Sequence, residues 1–269
     1  VNPLRVAVTA AAGRMGQRLV ALGHQGEGTV IAVATEASGN GQMGHDAGAV
    51  AGIGPIDVTI SPDLAHGIGH ADVVIDFSTP EATVAHAKVA GAAKVPAVIG
   101  TTGLSPEQQS QIETALSGVP WVQAPNMSVG VNVLFKLLEL AARTLGEGYD
   151  VEIVETHHRH KVDAPSGTAL ALGRIAAGAL GVDFAQSAVY ARQGRTGPRQ
   201  PGTIGLQTLR VGDVVGDHTV VLGTDGERLE LTHKAQSRDT FAHGALRAAR
   251  WVVGRPPGRY DMQDVLGLR

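Results

Sequence analysis

Residues 152–168 read EIVETHHRHKVDAPSGT and hold the densest set of groups in the chain able to bind an anion or move a proton. His157, His158, Arg159, His160 and Lys161 are consecutive side chains that are, or can become, cations. Such charges repel one another at short range, so a fold tolerates them best where water screens them or an anion sits among them. The alternating residues before the run read as a strand, and Pro165, Ser166, Gly167 and Thr168 after it read as the entry to a helix. A helix start adds N–H groups without intrahelical partners and a positive dipole end, so carboxylate or phosphate suits the pattern. The plain alternative is a solvated basic turn, and three histidines are poor material for solubility alone. Zinc at His157, His158 and His160 is disfavoured, because adjacent side chains of an extended segment point to opposite faces and Arg159 and Lys161 repel a dication. His66 and His70 have the spacing of a helical metal pair, but Gly67 and Gly69 weaken any helix there and no third ligand is spaced to join them.

A chain of 269 residues can bury a sizeable core, as two domains or one large α/β unit. With 43% hydrophobic residues, 17% charged residues and 36 glycines, the composition is globular with many tight turns. A formal charge of −3 gives no broad basic field, so nucleic acid is not an expected partner and the cationic loop is local. Cysteine is absent, which removes disulfides, thiolate metal sites and cysteine-thioester chemistry and fits a reducing cytoplasm. No run of about eighteen apolar residues and no signal-type apolar region occurs, so a soluble, unexported protein without a membrane partner is expected.

The elements that would position the loop follow from the pattern along the chain. Residues 4–9 form a short valine-rich run, and Met15, Leu19 and Leu22 then recur at helical spacing, which is the strand, turn and helix that open a dinucleotide-binding unit. Ala10, Ala11, Ala12, Gly13, Arg14 and Met15 occupy the turn; Gly13 permits close backbone approach and Gly16 close helix packing. Ala10 stands where a glycine is expected, so it needs a negative φ or bears some strain. Residues 29–35 are a second strand ending at Glu36, placed to accept hydrogen bonds from an adenosine ribose. Ala37 follows instead of an arginine, which leans toward NADH over NADPH, although Arg14 could reach a 2′-phosphate. Residues 38–55 read as a loop. Residues 71–78, 96–102 and 121–126 are further strands, with helix starts at Pro80-Glu81 and Ser105-Pro106-Glu107. The alternation gives a parallel sheet, whose strand ends at Asp76-Phe77-Ser78, at Gly100, Thr101 and Thr102, and at Ala124, Pro125, Asn126 and Met127 should line one crevice.

Residues 128–145 and 168–180 are helical, 193–202 form a polar loop, and 240–253 are a final helix. Residues 203–211, 218–223 and 228–235 alternate and are separated by Gly212-Asp213 and Asp225-Gly226, the pattern of an antiparallel meander. The expected division is a dinucleotide-binding domain of residues 1–128 plus 238–269, and an α+β domain of residues 129–237 that carries the substrate loop and buries its open sheet face against another subunit.

If a nicotinamide lies at the first crevice and a carboxylated substrate at the loop, hydride addition leaves negative charge that an acid must quench. Lys161 and His157 are the donors chosen on chemistry, with His158 and the N–H groups of Gly167 and Thr168 holding carboxylate. At this point the sequence resembles a known family. GRMG, DFSTPEAT, GTTG, APNMSVGVN and HHRHKVDAPSGTA, in this order and over nearly the whole chain, are similar to the 4-hydroxy-tetrahydrodipicolinate reductases, also called dihydrodipicolinate reductases, of lysine and diaminopimelate synthesis. The resemblance implies a Rossmann-like domain, an α+β domain that builds a homotetramer, and reduction of a cyclic dicarboxylate imine by NADH or NADPH. It implies His157 as proton donor and acceptor, Lys161 as proton donor, and substrate contacts at His158, Gly167 and Thr168. The implied cofactor positions are residues 10–15, Glu36, residues 100–102 and residues 124–127. A regulator that binds NADH without turnover, or an oxidoreductase for another dicarboxylate, would share the crevice.

Overall fold

The computed structural model describes residues 2–269. The chain forms two compact units, one from the chain up to Val129 together with Arg238–Arg269, the other from Gly130–Ser237. In the first, Leu4–Val8 (β1) leads into Arg14–Gln25 (α1), and Thr29–Thr35 (β2) into the single turn Ala47–Val50 (α2), then Ile60–Ser61 (β3) and Leu64–Gly67 (α3). Val73–Asp76 (β4), Pro80–Ala93 (α4), Ala97–Ile99 (β5), Pro106–Ala115 (α5) and Pro120–Gln123 (β6) continue the alternation. The second unit takes in nearly all of Val129–Leu145 (α6), then Asp150–His157 (β7), Gly167–Leu180 (α7), Phe184–Ser187 (α8), Ala188–Val189 (β8), Ile204–Arg210 (β9), Gly216–Thr224 (β10) and Glu227–Ala235 (β11). The chain returns to the first unit as Asp239–Val252 (α9), Gly258–Tyr260 (β12) and Met262–Leu266 (α10).

The first sheet is parallel throughout, in the order β12-β6-β5-β4-β1-β2-β3. Its strands are apolar on both faces because helices cover both: Val6, Ala7 and Val8 are all fully buried. Leu19 of α1 and Leu246 and Val252 of α9 pack on one side, and Val84 of α4 and Ile112 of α5 on the other. The order reverses beside β1, which makes the carboxyl ends of β1 and β4 a switch point where such sheets bind ligands. Helix starts differ there in a useful way. Thr79 caps α4 and Ser105 caps α5, each with proline next, whereas Gly13, before α1, provides no side-chain cap and leaves the first N–H groups of the helix to another acceptor.

Three expectations need correction. Residues 38–55 are not all loop, for the Asp46 carboxylate accepts from the N–H groups of Ala49, Ile56 and Val58 and closes α2, a turn too short to leave a periodic signal. The chain beyond Val253 supplies β12 and α10, again short elements. The meander also fails at its first connection. The second sheet runs β11-β10-β7-β9-β8, so β9 and β10 flank β7 instead of pairing with each other. β7 is parallel to β9 and antiparallel to β10, and only β10 and β11 form the expected hairpin. Alternation reports which face a residue takes, not which strand lies beside it. Gly212 and Asp213 therefore carry the chain past the end of β7, where the Val211 N–H donates to the His157 carbonyl at 2.8 Å and the Gly212 carbonyl accepts from Arg159 N–H at 3.1 Å. The crossover from β9 to β10 thus braces the cationic loop. No helix among the described residues is long and apolar enough to cross a membrane.

Candidate active site

In the second unit, α6 and α7 cover one face of the mixed sheet, and that face changes character along its length. Val151, Ile204 and Leu222 are aligned across β7, β9 and β10, and Ile153, Leu206 and Val220 form the next row. All six are buried aliphatic side chains. The following row is Glu155, Thr208 and His218, and beyond it lie His157 and Arg210. At one level, three strands exchange hydrocarbon for groups that must be paired.

Glu155 is the centre of that polar row and is fully buried. It accepts from Nδ1 of His157 at 2.5 Å, from Arg210 at 3.0 and 3.1 Å, from Thr208 Oγ1 at 3.2 Å and from Ser166 N–H at 3.1 Å. Burial alone would push its carboxyl up, but the His157 and Arg210 partners outweigh burial and hold it at about 2. An ionised carboxylate only accepts, so Nδ1 of His157 carries the hydrogen and Nε2 is the ring's open nitrogen. A Cβ on Gly216 would come to 3.0 Å from that Nε2, so the glycine leaves the nitrogen room. His218 stands edge-on to the His157 ring with centroids 5.2 Å apart, and its Nε2 lies 3.0 Å from Ser166 Oγ. Burial and the neighbouring His157 lower His218 to about 3, so it is neutral.

The loop after β7 brings its own counter-charge. Lys161 Nζ lies 2.8 Å from both oxygens of Asp163, and Arg210 also donates to the Asp163 carbonyl at 2.6 Å. The run of cations is thus partly balanced from within the chain, by Glu155 before it and Asp163 after it. Arg159 and His160 are exposed; His158 is half-buried, its ring 6.3 Å from that of His160. Ala164-Pro165 is a cis peptide, and Ser166 then caps α7 by accepting from Ala169 N–H at 3.2 Å. Gly167 is exposed and Thr168 buried in the first turn, where N–H groups have no acceptor within their own helix. Through Ser166, the Glu155 carboxylate holds the start of α7 and the His157 ring at once.

In the first unit the residues singled out from sequence fall on the turns after β1, β2, β5 and β6. Ala10 has φ of 49°, the left-handed region that favours glycine, so the strain foreseen for an alanine is present. A Cβ on Gly16 would stand 2.1 Å from the Ala10 carbonyl oxygen, which puts α1 directly against this turn. Glu36 meets the same turn, accepting from Ala12 N–H at 3.2 Å and from Ala37 N–H at 2.9 Å. An acid at the end of β2, touching the turn that leads into an uncapped helix, is the donor and acceptor set a dinucleotide requires, so these residues fit that group. Arg14 is exposed, and Ala11 is buried. Thr101 and Met127 are buried, whereas Thr102 and Pro125 are exposed. Asn126 Oδ1 accepts from Ser128 N–H at 2.9 Å, and Ala124 is buried at the end of β6.

Glu155, Ser166, Thr208, Arg210 and His218 were not singled out from sequence. A signal for three of them existed, because Glu155 continues the inward parity of Val151 and Ile153, Arg210 that of Ile204 and Leu206, and His218 that of Leu222 and Val220. A charge on the buried parity of a strand marks a paired group or a site.

Residues 4–127 match the family model for the dihydrodipicolinate reductase N-terminus, and residues 130–266 match that for its C-terminus. A 4-hydroxy-tetrahydrodipicolinate reductase of Anaeromyxobacter dehalogenans is 54% identical over 265 residues, 98% of each chain. One of Magnetococcus marinus is 53% identical over 266 residues, 99% of each chain. A dipicolinate-bound dihydrodipicolinate reductase from Paenisporosarcina sp. TG-14 shares the fold, with a TM-score of 0.76 at 24% identity over 97% of this chain and 98% of that one.

Proposed function

The chain belongs to the dihydrodipicolinate reductase family, and from that membership and the geometry of each unit we propose how it carries out its reaction. It is an NAD(P)H-dependent oxidoreductase that converts 4-hydroxy-tetrahydrodipicolinate to tetrahydrodipicolinate with loss of water, a step of lysine and diaminopimelate biosynthesis. The observation that carries the residue assignments is the buried Glu155 carboxylate, which orients a histidine and a helix start together.

The unit built on the parallel sheet is the dinucleotide-binding domain, residues 1–128 plus 238–269, and the unit built on the mixed sheet is the substrate domain, residues 129–237. In the first, residues 10–15 and the start of α1 hold the pyrophosphate, and Glu36 holds the ribose hydroxyls. Residues 100–102 and 124–127 line the nicotinamide end. Thr101 and Met127 act there through backbone, since their side chains are buried. Glu36 followed by Ala37 favours NADH, with NADPH also accepted. The reduced nicotinamide supplies the hydride when bound.

In the second domain, His158 and the N–H groups of Gly167 and Thr168 take a substrate carboxylate, charge-assisted by the dipole of α7. Glu155 fixes His157 with hydrogen on Nδ1, so Nε2 exchanges the proton with the substrate ring. Asp163 positions the Lys161 ammonium, which donates the proton that neutralises the charge left after reduction. The cationic loop sets the substrate class, because a ring bearing two carboxylates needs this many donors close together. A homotetramer is the assembly, supported by the sheet face that α6 and α7 leave uncovered, where Leu209 is 48% exposed. A cytoplasmic setting fits the cysteine-free sequence.

Pyridine-2,6-dicarboxylate tests the assignment of the loop. It should compete with substrate for the wild-type protein and lose most of its affinity for H158A. Inhibition that is not competitive, or that H158A leaves unchanged, would remove the loop from substrate binding.

A further inference from the structure

A second buried carboxylate lies in the first unit, and nothing in the steps above uses it. Asp76 ends β4 and is 2% exposed. It accepts from Ser78 N–H at 2.8 Å, Ser78 Oγ at 2.6 Å, Thr83 Oγ1 at 3.3 Å, Thr101 Oγ1 at 3.3 Å and His86 Nδ1 at 2.7 Å. A carboxylate kept from water is costly unless every lone pair is met, and an aliphatic residue such as Val74 on the same strand would fill the space without that cost. Its partners show what the carboxylate does instead. They come from the turn after β4, from α4, and from the segment after β5.

The ends of β4 and β5 are joined at three levels. Gly100 N–H donates to the Asp76 carbonyl at 2.8 Å. The Phe77 ring lies where a side chain on residue 100 would be, 2.2 Å from the position of a Cβ. Thr101 Oγ1 is shared between Asp76 and Thr83, the latter at 2.8 Å. The Thr101 hydroxyl is therefore committed inward, and what residues 100–102 offer a ligand is backbone and the exposed Thr102. The void beside Asp76 is about 10 Å³, the space of one water at most, so solvent cannot replace a lost donor freely.

We infer that Asp76 and His86 are positioning residues for the nicotinamide-end segment 100–102, acting through Thr101. The inference rests on the reading of that segment as cofactor-lining. Burial alone would raise the Asp76 carboxyl, but His86 and Ser78 outweigh it and hold it below the usual carboxylate range. Asp76 therefore accepts, and His86 carries hydrogen on Nδ1. Asparagine places an amide N–H where Nδ1 stands and alanine does not, which makes His86, on α4 and partly exposed, the residue to vary.

The experiment measures NADH dissociation constants by nicotinamide fluorescence, with KM and kcat, for the full-length wild type, H86A, H86N and T102W, each checked for a native thermal transition. H86A should weaken NADH binding about tenfold, the loss of one hydrogen bond to a buried charge, with kcat at saturating NADH little changed. H86N should recover binding to within about twofold of wild type, since it keeps that bond. Equal NADH affinity in H86A and wild type, or equal losses in H86N and H86A, would overturn the inference. T102W separates the two layers: if its bulk leaves NADH binding intact, the cofactor reading of residues 100–102 fails, and if it blocks binding while H86A does not, only the positioning role fails.

Discussion

Nδ1 of His157 lies 2.5 Å from the carboxylate of Glu155, two residues earlier on the same strand and fully buried. On a strand, residues two apart share a face, so a histidine at the strand's end can rest on an acid one step inside it. Arg210, opposite His157 on the parallel neighbour, holds the same carboxylate from the other side. The ring is thereby fixed in tautomer and direction before any substrate arrives.

Replacing Glu155 by glutamine should expose that dependence. The amide cannot accept from His157, Arg210 and Ser166 together, so the ring loses its fixed tautomer, and kcat/KM should fall by about a hundredfold or more. Nitrogen-15 NMR of the histidine rings checks the cause, since the His157 signals should move from an Nδ1-protonated pattern toward a mixture. Wild-type turnover with an unchanged His157 pattern would contradict the assignment.

Lys161→Ala removes the ammonium that Asp163 holds and should lower turnover by about a hundredfold or more, the usual range for a lost general acid. Steady-state rates at saturating NADH and substrate measure it. A folded variant with unchanged kcat would exclude Lys161 as the donor.

Acid should destabilise the protein in two stages. His218 is held at about 3 and Glu155 at about 2, both below their ordinary values of 6.5 and 4.5. In each case the unfolded chain binds the proton at higher pH than the folded one, so stability falls as pH falls. The His218 contribution is lost between 6.5 and about 3, and the Glu155 contribution between 4.5 and about 2. The Glu155 shift corresponds to roughly 3 kcal/mol in order of magnitude. Urea unfolding at a series of pH values should show the decline, and E155Q, less stable at neutral pH, should show a flatter curve below pH 4.5.

Ala10→Gly should stabilise the first unit by about 1 kcal/mol, because φ of 49° penalises a side chain that glycine lacks. The shift in urea midpoint measures the gain. A loss of stability would mean that the entropy glycine adds to the unfolded chain exceeds the relief.

Much of the fold was legible because burial on both faces writes continuous apolar runs, as in Val6 to Val8 and Val73 to Ile75, and parallel strands separated by helices follow from that. The second sheet was legible only in part. The strand at residues 203–211 and its alternation are present, yet its neighbour is β7, about fifty residues earlier along the sequence, and no local pattern encodes that pairing. The same limit hid Arg210 and His218 as partners of Glu155 and His157, although their parity on the strands set them apart. His157 and Lys161 stood out because their chemistry is concentrated in one run. The acids that balance them, Glu155 and Asp163, lie in the same stretch, but local pattern does not tell a buried or paired acid from an ordinary strand or loop residue. Thr101 shows the converse, since a motif can locate a residue without revealing that its hydroxyl faces inward to Asp76.

The most direct measurement is NADH oxidation followed at the nicotinamide absorbance band with freshly prepared 4-hydroxy-tetrahydrodipicolinate, run in parallel with NADPH and with the double variant H157A/K161A. The wild type should show substrate-dependent oxidation, faster with NADH, and the double variant a rate near the protein-free background. Oxidation by the double variant at the wild-type rate, or none by the wild type above background, would contradict it.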